Sequence, residues 1–202
     1  MPYIIRPRSA RKIAAAVLGT TLAIAAVPAV ASAACPSGAT SQAFASYGDN
    51  ASYALVQNGT FDAGASGWTL HNAEVISESG QSADAAGVTH ALKIRGRGRA
   101  TSPGFCVSTE YPTFRFLVRR VWGSGRLGVS LHWSDGSGSH EASVASLQSE
   151  TTWAASPVLQ LASNLPLSSA EATVDPVRLV FESPQAATAF AISYVYIDPY
   201  RR

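Results

Sequence analysis

Cysteine is scarce in this 202-residue chain: Cys35 and Cys106 are the only two. That excludes a scaffold held by many cross-links. It also argues against a cysteine zinc cluster, since neither residue has a second ligand at close spacing. Charge is thin, at 14% of residues, and lysine is nearly missing, with only Lys12 and Lys93. No amphipathic helix of three turns can be traced, and no internal repeat. No glycine-rich phosphate loop or dinucleotide fingerprint occurs, which removes the common nucleotide-dependent enzyme classes.

What is present begins with an export signal. Arg6, Arg8, Arg11 and Lys12 precede an apolar run from Ile13 to Val30. Ala31-Ser32-Ala33 closes it as a small-x-small cleavage site, so residues 1–33 read as a signal peptide. A membrane anchor is the weaker reading, because Gly19, Thr20, Thr21 and Pro28 interrupt the run. No adjacent arginine pair marks a twin-arginine route, so the general secretory pathway and a secreted, extracellular product are expected. The residue pattern before Cys35 lacks the apolar position of a lipoprotein site. Cleavage removes four of the fifteen basic residues and no acidic one. Eleven basic and thirteen acidic residues remain, a net charge of −2. A global argument for nucleic-acid binding disappears with it, and no membrane partner is expected after cleavage.

An even cysteine count in an exported chain reads as one disulfide, Cys35–Cys106. Two free buried thiols are the alternative. Residues 34–50 are small and polar and are expected to be an irregular arm. Residues 51–202 carry short runs of period-two alternation between Gly/Pro turns, which predicts an all-β, two-sheet antiparallel β-sandwich. Thr113–Val121 and Arg126–Trp133 alternate most clearly. A loop from Trp122 to Gly125 puts Val121 opposite Arg126, as in a hairpin. Val118 then meets Val129, Phe116 meets Leu131, and Phe114 meets Trp133, with all six side chains on one face. The other face would carry Arg115 and Arg119 beside Ser130 and His132. Ser134 to Ser139 reads as a hairpin turn around Asp135-Gly136. Ala189–Ile197 is apolar on both faces and is expected to be central. Gly96 to Gly104 reads as a turn-rich excursion.

Asn58-Gly59-Thr60-Phe61-Asp62, with Gly64 and Gly67-Trp68-Thr69, resembles the opening motif of secreted jelly-roll modules. These belong to the galactose-binding-like superfamily, which includes many carbohydrate-binding modules. The resemblance spans roughly Tyr53 to Tyr200. It implies that Phe61 plugs the sandwich edge and that Gly67-Trp68 starts the next strand. Related modules often end in an apolar residue, two Asp and a Val before an alternating strand. Here the acidic positions are Ser193 and Tyr194. The resemblance implies a structural calcium at Asp62, but this departure removes its usual partners, and no other cofactor is expected. The ending Val195-Tyr196-Ile197-Asp198-Pro199-Tyr200 also resembles exported bacterial proteins of unassigned function.

Three kinds of site are legible. Arg115, Arg119, Ser130 and His132 offer planar donors to saccharide hydroxyls or carboxylates, against the plainer reading of a solvated face. Trp122, at a glycine-rich tip, is the best stacking platform, with Tyr111 and Trp153 behind it; Trp68 and Trp133 fall in core register. Arg95-Gly96-Arg97-Gly98-Arg99 could meet an anionic polymer, although an exposed turn is the plainer reading. Catalysis has little support. Gly128-Val129-Ser130-Leu131-His132 fails the Gly-x-Ser-x-Gly elbow, and Ser134, Asp135 and His140 lack triad spacing. The expectation is a monomeric, non-catalytic protein like a carbohydrate-binding module, with a glycan of the cell wall or environment as its partner. A structural or protein-interaction sandwich is the alternative, and a hydrolase the third.

Overall fold

A computed structural model describes residues 39–78, 87–108, 113–167 and 173–198. Residues 1–33, Cys35 and Tyr111 lie outside these ranges. The described residues belong to one compact unit of strands, with two 3-10 turns at Ala45–Tyr47 and Ala162–Asn164.

One layer is built around β12 (Thr188–Asp198). Strand β6 (Thr113–Gly123) pairs along one edge of it. The first half of β4 (His90–Thr101) and the short β2 (Tyr53–Leu55) share the other edge. Beyond β2 lies β1 (Thr40–Ser41). Beyond β6 lie β9 (Ala154–Ala155) and β10 (Leu159–Gln160). Pro157 separates those two fragments, as a residue that cannot donate to a ladder should at a sheet edge.

The second layer centres on β11 (Thr173–Ser183) and β7 (Leu127–Asp135), with β8 (Gly138–Leu147) at the margin. The far side of β11 is shared by β5 (Phe105–Ser108) and the second half of β4. Strand β3 (Thr69–Ser77) follows β4 along its length. The chain is therefore an all-β, antiparallel sandwich in which β3 and β4 run through both layers.

The corner lies at Gly96-Arg97, opposite Asn72. Asn72 (φ 47°) and Arg97 (φ 58°) both adopt left-handed backbone there. Asn72 Nδ2 donates to the Gly96 carbonyl at 2.8 Å. A Cβ on Gly96 would sit 1.9 Å from the Ala186 carbonyl oxygen, so only glycine fits. Paired bulges of this kind bend a strand from one sheet into the next. The arginine-glycine stretch is thus a continuous bent strand, not the turn-rich excursion that its composition suggests.

Phe116 on β6 meets Phe181 on β11 edge-on, with ring centroids 5.0 Å apart, and so ties one layer to the other. Phe61 and Trp68, with centroids 4.9 Å apart, pack beside them, Trp68 lying 6.2 Å from Phe181. A second apolar cluster covers the outer side of the first layer, through Phe44, Tyr53, Leu117, Trp153, Ala191 and Tyr196. Strand β12 is consequently covered on both faces. The described part of the expected irregular arm is more ordered than its composition suggests. It forms β1 and a 3-10 turn, and Phe44 is fully buried.

The expected β6–β7 hairpin does not form. Val118 pairs with Ile192, while Val129 pairs with Phe181 and Leu131 with Leu179. The two strands lie in different layers and face each other across the core. Their inward residues Phe114, Phe116, Val118, Leu127, Val129 and Leu131 are buried together, as the alternation requires. Alternation reports which face is covered, but not which strand is adjacent. The connection is shaped by Gly123 (φ 84°) and Gly125. A Cβ on either would run into Ala187, Gln185 or Thr188, and these contacts hold the link against the β11–β12 turn.

Candidate functional site

With β6 and β7 in different layers, the expected donor face divides. Arg115 and Arg119 lie on the outer side of the first layer. Ser130 and His132 lie on the outer side of the second. No single ligand surface joins the four.

Arg115 and Arg119 are also engaged. Arg115 Nη1 donates to Asp49 at 2.6 Å, and Nε and Nη2 donate to the Ser156 carbonyl at 2.9 and 2.7 Å. The Phe44 ring lies 5.1 Å below its guanidinium. Arg119 Nη2 donates to Glu78 at 2.6 Å, and its guanidinium lies 5.4 Å from the Trp153 ring. Side-chain exposure is only 12% for both Arg115 and Asp49. These guanidiniums fasten the arm and the 150s loop onto the sheet: the Arg115 donors face protein acceptors, and Arg119 Nη2 meets Glu78 while its Nε is buried without a partner among the described residues.

The outer side of the second layer is different. Register brings His71, Arg99, Glu182 and Gly128 into one row across four strands. Two rows further on, past Val180 and Ser130, stand Arg178, His132 and Glu141. Arg99 Nη1 meets Glu182 at 3.2 Å. His132 Nε2 lies 3.0 Å from Glu141, and Arg99 Nη2 approaches both ring nitrogens, Nε2 at 3.0 Å and Nδ1 at 3.2 Å. Glu141 is held below the usual carboxylate range, first by the hydrogen bond from His132; a second comes from Ser130. Ser130 is buried beneath this network.

At one end of the face is a cleft of about 270 Å³ lined by His71, Arg97, Gly98, Arg99, Glu182 and Pro184. The size lies near the lower end of the roughly 300–1,000 Å³ range of small-molecule sites. His71 and Arg97 are exposed and bring donors to its rim. The sequence reading missed His71 and Glu182. Both enter only through the β3–β4 and β4–β11 pairings, which local alternation does not reveal. Arg97 and Arg99 were visible as a charge cluster, but not as cleft walls.

Trp122 is 45% exposed at the end of β6. The β11–β12 turn stands between it and the cleft: Pro184 lines the cleft, while Ala187 packs against Gly123. Trp153 is buried, which removes it as a platform. Trp133 stacks on His140 at 5.3 Å and is not open to a sugar ring.

Asp62 lies in the loop that Asn58 organises. Asn58 Nδ2 donates to the Gly64 and Ser66 carbonyls, and its Oδ1 accepts from the Ala63 amide. Both Asp62 oxygens are occupied: Oδ2 accepts from Thr60 at 2.8 Å, and Oδ1 meets Thr89 at 3.2 Å and His90 Nδ1 at 2.9 Å. Calcium needs about six to eight oxygen ligands. Among the described residues no group of three His, Cys, Asp or Glu is placed to hold a metal. Ser193 Oγ donates to the His90 carbonyl, and Tyr194 (φ 52°) donates to the Gly87 carbonyl. The residues present do not fit the ion; hydroxyl and imidazole bonds tie the loop instead.

The hairpin turn at Asp135-Gly136 forms as expected, and it gathers Ser137, His140 and Asp135. Ser137 Oγ (3.1 Å) and Asp135 Oδ1 (2.9 Å) both approach the same His140 nitrogen, Nε2. A triad needs the base to face its nucleophile through one nitrogen and its carboxylate through the other. This cluster closes a turn. Cys106 is disulfide-bonded.

No protein-family model and no curated protein matches the chain. Solved structures do. The N-terminal CBM22-1-CBM22-2 tandem domain of Paenibacillus barcinonensis Xyn10C matches with a TM-score of 0.53 at 18% identity, over 84% of this chain and 49% of the tandem. This chain thus spans about half the tandem's length. The single CBM22-1 xylan-binding domain of the same protein gives 0.49 at 19% identity, over 67% of this chain and 87% of that one. TmCBM61 in complex with β-1,4-galactotriose gives 0.44 at 14%, over 73% and 98%. The likeness to the tandem shows the fold, the jelly-roll sandwich of carbohydrate-binding modules.

Proposed function

We propose that this is a secreted, monomeric, non-catalytic saccharide-binding protein whose site is the outer face of the second layer. The observation that carries the reading is the cleft where His71, Arg97, Arg99 and Glu182 converge. Imidazole and guanidinium groups donate to sugar hydroxyls, and a carboxylate accepts from them. Pre-set pairs such as Arg99–Glu182 lower the ordering cost of binding. The fold shared with a carbohydrate-binding tandem supports the ligand class.

One feature favours the alternative of an interaction domain without a sugar site: no Trp, Tyr or Phe lines the cleft.

A glycan array probed with the exported protein tests the reading. Binding to defined saccharides, weakened by Arg99→Ala and His71→Ala at unchanged Tm, is expected. An empty array favours the interaction domain. Export itself predicts that the protein accumulates outside the cell, cleaved after Ala33. It also predicts that non-reduced peptide mapping links Cys35 to Cys106; two free thiols would reject that pairing.

A further inference from the structure

We infer that the cleft recognises its saccharide through an anionic substituent, a carboxylate or a phosphate ester, and that Arg97 is the group that reads it. This deepens the saccharide reading and rests on it.

Arg97 is in a conformation that does not suit it. It stands between two glycines at φ 58°. A residue with a side chain is uncommon there, and glycine would sit without strain. Its side chain gives nothing back to the fold. Arg97 is exposed, and it makes no hydrogen bond or ion pair among the described residues. Its neighbours are matched: Arg95 meets Glu74 and Arg99 meets Glu182. An unfavourable backbone bearing an unused guanidinium points to a purpose outside folding.

The charge around it points the same way. Two guanidiniums and one carboxylate line the cleft, and the carboxylate is already taken by Arg99. The excess positive charge is local, because the chain after residue 33 is net negative. Arg178 adds a further exposed guanidinium on the same face, opposite His132. A planar guanidinium can bind a carboxylate or phosphate through two parallel hydrogen bonds. Neutral sugar hydroxyls would not need that excess charge.

The test uses the exported protein and four polymers: a polyuronate, its carboxyl-reduced neutral form, a polyol-phosphate wall polymer and neutral xylan. Binding to the polyuronate or to the phosphate polymer is expected, and whichever binds identifies the anion. Affinity should fall by about tenfold or more on carboxyl reduction, or in Arg97→Gly, where the bidentate contact is lost. It should also weaken as salt rises. Arg97→Gly should fold with an unchanged or higher Tm, because glycine relieves the left-handed position. Arg97→Lys should recover part of the affinity, as a point charge without the fork. Binding to xylan and the reduced polymer as tight as to the anionic ones, or full affinity in Arg97→Gly, overturns the inference while the saccharide reading stands. Failure to bind any of the four, together with an empty glycan array, overturns both.

Discussion

At the residue scale, the same side chain type does opposite work on the two outer faces. Arg115 is nearly enclosed between Asp49, Ser156 and Phe44, whereas Arg97 is open and unmatched. Removing one partner of an enclosed ion pair leaves the other charge stranded, at about 3–5 kcal/mol. Asp49 keeps its bonds from the Tyr53 hydroxyl and the Ala51 amide, so Arg115→Ala should cost less than that, about 1–3 kcal/mol in denaturant unfolding. A loss under about 1 kcal/mol would place the pair among ordinary surface salt bridges. Asp62 offers a pH test. Its carboxyl is held below the ordinary value of 3.8, first by the Thr60 hydroxyl and then by His90. Folding thus favours the ionised form. That contribution is complete above the unfolded-state value and fades as pH falls through the lower native one. The Tm gap between the parent and Asp62→Asn should be constant above about pH 5 and narrow below about pH 4. A gap that widens toward acid would contradict the assignment. Added calcium or chelator should leave the parent's Tm unchanged, since the donors around Asp62 do not fit the ion.

At the element scale, the decisive feature is the bend in β3 and β4. Gly96→Ala puts a methyl group against the Ala186 backbone, which cannot yield as a flexible side chain would. A cost of about 1–3 kcal/mol or more is expected in thermal or denaturant unfolding. Gly136→Ala, where a Cβ meets nothing within 4 Å, is the control and should change stability by under about 0.5 kcal/mol. Equal effects would mean the corner is not packed as described. This bend also marks the limit of what the sequence reveals. Alternation in Thr113–Val121 and Arg126–Trp133 reports the buried residues correctly, because burial of one face is a local property. The Asp135-Gly136 hairpin and the two-sided burial of β12 are legible for the same reason. Pairing is not local. The link after Gly123 crosses the sandwich because of contacts with Ala187 and Thr188, more than 60 residues later, and no pattern within either strand records them. The site depends on the same pairing: alternation alone groups Arg115 and Arg119 with His132 through a hairpin that does not form. Arg97 and Arg99 were visible as a cluster, but their partners His71 and Glu182 come from other strands.

At the scale of the whole molecule, the two outer faces divide the labour. The first layer is sealed by the arm, the 150s loop and two enclosed arginines, and it holds the sandwich together. The second layer leaves a polar network in solvent, with a cleft at its end. Ligand should therefore meet the second face and not the first. The most direct measurement is an NMR titration of the exported protein with the saccharide it binds, following backbone amides and arginine side-chain resonances. Shifts should concentrate at His71, Arg97, Gly98, Arg99 and Glu182, with Arg115, Arg119 and Trp153 unmoved. Shifts centred on Arg115, Arg119 and Trp153, with the cleft silent, would contradict it.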